Sequence, residues 1–301
     1  MNNPLISVIM STYNETLVEL NKSLNSILNQ TYENIEFIIV NDNPGNSVLA
    51  NFMKSVNDPR VRFIINDSNM GLVASLNKAL SCASGEYIAR MDADDIAIKD
   101  RLEKQLEYLV NNKLDMVGSD IELIDENDIV IKKKMHFPSN EKSIRKYIVW
   151  GSCMAHPTWL VKREVYTYFN GYRNVPYCED YDFLLRVVLD GNYRMGNISN
   201  IYLKYRVRNE GISTSNANMQ YLVRRYLSIQ FKKKHVPLEK DIRVYLSSDE
   251  FRNSVEDYSE YIRIKRTIKT GALYKIFLII FNKNLYYDLY EKINLYLRER
   301  T

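Results

Sequence analysis

Cysteine is scarce in this chain. Cys82, Cys153 and Cys178 are the only three in 301 residues, lie far apart and have no metal-ligand spacing. That excludes a disulfide framework and fits a reducing compartment. Long apolar runs are also missing. The longest, residues 276–281, falls far short of the roughly 20 residues a transmembrane helix needs. The start, Met1-Asn2-Asn3-Pro4, has no basic flank, and the apolar run at 5–10 is too short for a signal peptide. A cytoplasmic protein is expected. No glycine-rich phosphate loop follows the first apolar run, where Ser11-Thr12-Tyr13-Asn14 stands instead, so a dinucleotide-binding dehydrogenase is disfavoured.

What the chain does contain is ordinary globular composition, 46% hydrophobic and 26% charged, enough for one large domain with an appendage. The formal net charge of +4 is uneven. Residues 222–301 hold 17 Lys/Arg against 10 Asp/Glu, whereas residues 1–221 hold 24 against 27. A near-neutral body therefore carries a basic tail, which either meets an anionic surface or packs on its own chain.

The body alternates strand and helix patterns. Apolar runs at 5–10, 35–40, 61–65 and 87–91 read as strands buried on both faces. Between them, Leu17, Leu20, Leu24, Ile27 and Leu28 recur at helical spacing behind Asn14 as N-cap, and a short helix is expected over 49–56. A third helix follows Gly71 with Leu72, Leu76, Ala79 and Leu80 on one face. Further on, a helix is expected over 101–110, a strand at 116–118, a hairpin from 121–124 and 129–133, and a helix capped by Ser139 running to Trp150. A strand at 156–161, a helix from Glu179 to Gly191 and a strand at 198–207 complete the body. Such alternation gives an α/β fold, a mostly parallel sheet with helices on both faces, and ligands gather where its strands end. Asn14, Asp42 and Asp92-Ala93-Asp94-Asp95 all fall just past strand ends and are expected on one rim. Three carboxylates within four residues repel one another and bury badly, but they suit a hard divalent cation that brings phosphates with it. A solvated acidic turn is the plainer alternative.

Several stretches then resemble, in order, the motifs of family 2 glycosyltransferases. They are Val8 to Asn14, Ser26 to Tyr32, Glu36 to Asp42, Asn69 to Leu72 with Ser75 to Ala79, Ala89 to Asp95 with Arg101 to Gln105, and His156-Pro157-Thr158 followed by Glu179-Asp180-Tyr181-Asp182. Each is weak alone; together they cover about 1–215. The resemblance implies a GT-A fold, Rossmann-like, over 1–220, with a mainly helical extension over 221–301. It also implies an inverting transferase using a nucleotide-sugar, a UDP-hexose or UDP-N-acetylhexosamine, with Mn2+ or Mg2+ as cofactor. By that resemblance Asp94, with Asp92, holds the metal, and Asp180 is the general base with Glu179 beside it. Thr12, Asn14, Asp42, Asn69 and Asp92 line the donor nucleotide. Two departures stand out. Only one acid, Asp42, follows the second strand. Arg208 occupies the place where many members have a histidine after a Tyr-Arg-x pattern, and it is expected to pair with the diphosphate or to be solvated. Asp95 either contacts the ribose or starts the following helix. His156 is expected to be structural or to lie near the acceptor.

The acceptor implied is a glycan or polyprenyl-linked oligosaccharide of surface polysaccharide synthesis, such as capsule or lipopolysaccharide. The basic and aromatic tail suits a helix at a membrane interface. Packing on the catalytic domain or on a second subunit of a homo-oligomer is the alternative. Nucleic acid is disfavoured because the basic residues lie outside the expected cleft. A sugar nucleotidyltransferase would carry a glycine- and base-rich loop after the first strand, and a non-catalytic sugar-nucleotide binder would have no need for two acidic clusters.

Overall fold

A computed structural model of the chain describes residues 3–208 and 216–268. The first half builds four strands with intervening helices. These are β1 (Ile6–Thr12), α1 (Leu17–Leu28), β2 (Ile35–Asn41), α2 (Ser47–Ser55), β3 (Val61–Ile65), α3 (Leu72–Cys82) and β4 (Tyr87–Arg90). The second half adds β5 (Ile96–Ala97), α4 (Arg101–Asn111), β6 (Met116–Ile124), β7 (Val130–Met135), α5 (Glu141–Tyr147), β8 (Leu160–Lys162), α6 (Arg163–Tyr168), α7 (Glu179–Asp190) and β9 (Met195–Arg206). Three helices follow: α8 (Ala217–Lys232), α9 (Glu239–Leu246) and α10 (Asp249–Ile268).

One sheet runs β3-β2-β1-β4-β8-β6-β9-β5, with β7 paired to β6. Strands β3, β2, β1 and β4 are mutually parallel, so Thr12, Asn41, Ile65 and Arg90 end at the same edge. Strand β8 lies antiparallel between β4 and β6, and β6 pairs parallel with β9. Side chains alternate across each strand. Val8 and Met10 pack with Leu20, Leu24 and Ile27 of α1 on one face, while Ile9, Ile38 and Ile88 pack with Leu76 and Ala79 of α3 on the other. The double burial explains why these strands read as unbroken apolar runs.

Several sequence expectations are corrected. Helix α1 is capped by Thr16, not Asn14: the Thr16 hydroxyl accepts from Glu19 N and the Glu19 carboxylate accepts from Thr16 N. Such a box contributes about 1 kcal/mol. Helix α5 is capped by Asn140 rather than Ser139, and the chain continues from it as a 3₁₀ turn over Ile148–Trp150. The strand expected at 156–161 is a 3₁₀ turn over His156–Thr158, with Pro157 in its first turn, and only then β8. The separate strands expected around 116–124 are one, because the Asp120 carboxylate is buried yet satisfied by Phe137 N at 2.8 Å and His136 Nδ1 at 2.7 Å.

The boundary expected at residue 220 falls inside α8, whose Val223 and Leu227 enter the core beside α7. Helix α10 packs on α8 through Leu222, Phe251 and Tyr258. Among the described residues no helix is long and apolar enough to cross a membrane. The apolar and tyrosine-rich stretch expected at a membrane interface, 272–296, lies outside the described residues.

Candidate active site

The ends of β1 and β2 form one side of the rim. Asp42 N donates to Thr12 O at 2.9 Å, and the Asn43 amide donates to Asn14 Oδ1 at 2.8 Å, so the two strand ends are tied together. Thr12 is buried, and its hydroxyl donates to Glu15 at 2.6 Å. The Asp42 carboxylate is 4% exposed and already engaged. Its Oδ1 accepts from Asn66 Nδ2 at 2.7 Å and from Met70 N at 2.8 Å, while Oδ2 accepts from Gly71 N at 2.8 Å. Asn69 is exposed, and its side-chain oxygen also accepts from Gly71 N, at 3.1 Å. Gly71 has φ 85°, where a side chain is disfavoured. The loop from Asn66 to Gly71 is thus folded around Asp42.

The acidic turn follows β4. Asp92 and Asp94 side chains are 31% and 24% exposed. One Asp92 oxygen pairs with Arg90, which is buried beneath the turn. Burial opposes the Arg90 charge, but Asp92 outweighs it and holds the guanidinium above its usual range. A second buried arginine, Arg101, donates to Arg90 O at 2.7 Å. Its pKa is lowered to about 9 by burial. Burial, reinforced by Asp92, pushes the Asp94 carboxyl up to about 7. Asp94 meets Arg208 Nε at 2.9 Å, and Arg208 Nη2 reaches Glu19 at 3.0 Å. Arg208 is therefore neither solvated nor remote from the acids.

Asp95 does not start the following helix. It is 1% exposed and its carboxylate accepts from Arg206 N at 2.8 Å, while α4 starts at Arg101 behind Asp100. Arg206 completes a clamp, donating to Asp94 O at 2.8 Å, Asp125 O at 2.7 Å and Asp128 Oδ1 at 2.6 Å. One buried arginine thus locks the end of β9 to the acidic turn and to the β6–β7 hairpin.

The second acidic cluster opens α7. Asp182 is fully buried and taken up by Arg173 and Arg186, so its role is structural. Glu179 and Asp180 instead face Asp92 and Arg90, closely enough for those charges to act on both carboxyls. Burial pushes Glu179 up to about 8, with Asp180 adding to the shift, and raises Asp180 to about 6. Both carboxyls are thus held above the usual range, and Asp180 Oδ1 accepts from Tyr181 N at 2.7 Å. Tyr177, just upstream, sits at φ 60°, a costly conformation for a bulky residue. His156 donates to or accepts from Tyr172 Oη at 2.8 Å and stacks edge-on with Trp159, so it is structural; burial holds it well below its usual pKa, hence neutral.

The structure therefore brings Asp92, Asp94, Glu179, Asp180 and Arg208 to one rim, with Thr12, Asn14, Asp42 and Asn69 beside it. Sequence reasoning missed Arg90, Arg101, Arg206 and Glu19. A signal existed for three of them: Arg90 interrupts an apolar run, Glu19 sits three residues after Thr16, and Arg206 is next to the last strand's aromatic Tyr205. Among the described residues, no group of three or more His, Cys, Asp or Glu side chains is arranged to hold a metal. Two carboxylates nonetheless fit a cation whose remaining ligands are phosphates and water, and Asp92 and Asp94 are both partly exposed at the turn.

Comparison with known proteins agrees with this architecture. The chain is 39% identical over 240 residues to an uncharacterized glycosyltransferase of Methanocaldococcus jannaschii, covering 78% of this chain and 82% of that one. It is 36% identical over 214 residues to the O-antigen biosynthesis glycosyltransferase WbnJ of Escherichia coli, covering 70% and 83%. It is 29% identical over 217 residues to the E. coli UDP-Glc:alpha-D-GlcNAc-diphosphoundecaprenol beta-1,3-glucosyltransferase WfgD, covering 71% and 82%. In fold it resembles the mannosyltransferase of Pyrobaculum calidifontis solved with GDP-Man and Mn2+, with TM-score 0.60, 16% identity, and 98% and 85% of the two chains covered. The fold is therefore GT-A. The model of glycosyl transferase family 2 matches residues 7–192, and the chain belongs to that family.

Proposed function

We propose that the protein transfers a hexose or N-acetylhexosamine, with inversion, from a UDP-sugar to a hydroxyl of a lipid-linked glycan in surface polysaccharide synthesis. The observation that carries this reading is the convergence of Asp92 and Asp94 with Glu179 and Asp180 above buried Arg90. Such a rim offers one carboxylate pair to the donor phosphates and another to the acceptor. The UDP donor and the lipid-diphosphate acceptor are supported by WfgD's name and the O-antigen role by WbnJ's.

In this reading Asp180 takes the proton of the acceptor hydroxyl as its oxygen bonds to the anomeric carbon. The bond from that carbon to the diphosphate breaks on the opposite face, and the nucleoside diphosphate leaves. Glu179, holding its proton, donates a hydrogen bond to the acceptor. Arg208 shifts from Asp94 to the departing diphosphate, where a guanidinium fork matches phosphate oxygens. Thr12, Asn14 and Asn69 line the nucleotide floor, and Asp42 faces the base while it fixes the loop from Asn66 to Gly71. Asp94, assisted by Asp92, would hold Mn2+ or Mg2+. When bound, that ion supplies Lewis-acid stabilisation of the leaving phosphate.

The test is release of UDP on incubation with UDP-sugars and Mn2+, with and without a lipid-diphosphate-linked sugar acceptor. Acceptor-dependent UDP release is expected. Release of pyrophosphate from a nucleoside triphosphate and sugar phosphate would instead establish a nucleotidyltransferase.

A further inference from the structure

Helix α8 carries a groove outside the acidic rim. It is lined by Trp150, Arg224, Arg225, Ile229 and Lys232, among others, and among the described residues no acidic one lines it. The Lys232 ammonium lies 4.1 Å from the centre of the Trp150 ring. Burial holds its pKa below the usual lysine range, and among the described residues no carboxylate pairs with it. The Lys232 side chain is exposed, so its ammonium is open to an incoming anion. Ile229, 43% exposed, and Trp150 give the same groove an apolar wall. Cationic and apolar surface side by side matches a phosphate or diphosphate attached to a hydrocarbon chain.

The groove starts beside the base. Gln220 Nε2 donates to Tyr177 O at 3.0 Å, Cys178 Sγ donates to Gln220 O at 3.4 Å, and the next two residues are Glu179 and Asp180. Arg224 follows Gln220 by one helical turn, about 6 Å, and Lys232 by about 18 Å. Arg224 Nη1 and Ser228 Oγ hold Trp150 O and Val149 O at 2.6 Å each, fixing the floor of the groove. Tyr181 Oη donates to Ile148 O at 2.6 Å, joining the same segment to α7. Helix α8 thus runs from the start of α7, where Asp180 lies, along the groove to Lys232.

We infer that the groove formed by Trp150, Arg225 and Lys232 on α8 binds the diphosphate and first lipid segment of the acceptor. This rests on the transferase reading above for the word acceptor, but not for binding of the lipid diphosphate itself. The chain has two tryptophans, and Trp159 is fully buried, so Trp150 fluorescence reports the groove.

The probe is farnesyl diphosphate, titrated into the full chain without donor. It is expected to quench Trp150 saturably, and the signal should vanish in Trp150→Phe. Lys232→Met and Arg225→Ala, each checked for an unchanged melting temperature, should each weaken binding about tenfold or more. The same variants should raise KM for the diphosphate-linked acceptor. Inorganic pyrophosphate binding as tightly as farnesyl diphosphate would overturn the lipid part. Quenching by phosphatidylglycerol vesicles but not by farnesyl diphosphate would replace the proposal with a membrane contact. If no transfer to any acceptor is found while farnesyl diphosphate still binds, the transferase reading fails and the groove stands.

Discussion

Asp42 separates a ligand-reading role from a fold-holding one. Its carboxylate accepts three hydrogen bonds, from Asn66 Nδ2, Met70 N and Gly71 N, all within 2.8 Å. Bonds to an ionised carboxylate contribute about 1.5–3 kcal/mol each, and bonds sharing one group do not add in full. Asp42→Ala is therefore expected to cost roughly 3–6 kcal/mol. At roughly 2–4 °C per kcal/mol for a domain of this size class, melting should fall by about 6–24 °C. Asp42→Asn keeps an acceptor for Asn66 and Met70 but turns an amide toward Gly71 N–H, so it should lose about half as much. The assay is scanning calorimetry of the three proteins, paired with UDP titration at a temperature where all are folded. UDP affinity should fall together with stability, because the loop it orders borders the nucleotide floor. A variant that melts within about 1 °C of the parent yet no longer binds UDP would refute the structural role.

The remaining predictions concern the two acid pairs. Asp180→Asn should lower turnover about 10²–10⁴-fold while UDP affinity holds; near-normal turnover would remove Asp180 as base. Asp94→Ala should abolish the Mn2+-dependent part of UDP binding, read by calorimetry with and without EDTA, and equal binding in both would contradict it. The pH dependence of stability has a definite sign. Asp94, Asp180 and Glu179 have folded pKa values raised to about 7, 6 and 8, so their contribution is full below about pH 4 and disappears as pH rises through those values. Glu36, Asp58 and Asp128 are shifted down, so what they add is complete by about pH 5. His156, held neutral by burial, adds stability as pH rises to about 7, so the carboxyls are read above that. The ligand-free protein should melt lower at about pH 8.5 than at about pH 7, and a flat or rising profile there would refute the raised carboxyls.

The parallel half of the fold was readable because strands buried on both faces leave apolar runs, as at Ile35–Asn41. Strand β6 was not, since Ser119 and Asp120 look like a break until Phe137 N and His136 are known to satisfy the carboxylate. At the site, the carboxylates announced themselves by spacing, whereas their supports did not. Arg90, Arg101 and Arg206 act on backbone carbonyls and acids brought near by tertiary structure, up to 112 positions away in the case of Arg206 and Asp94. No local pattern encodes such partners. The Thr16-x-x-Glu19 box was local and legible, and Asn14 merely stood closer to the strand.

Tyr177 has one more consequence. A tyrosine at φ 60° forgoes roughly 1–3 kcal/mol that glycine would not. Tyr177→Gly is thus an easy route to a sturdier protein. Yet the Tyr177 carbonyl, aimed by that backbone, accepts from Gln220 and sets where α8 meets the start of α7. Selection for thermal robustness and selection for aim pull on this position in opposite directions. A library selected only for heat resistance should therefore enrich glycine at 177 and, in the same clones, let the first turn of α7 wander.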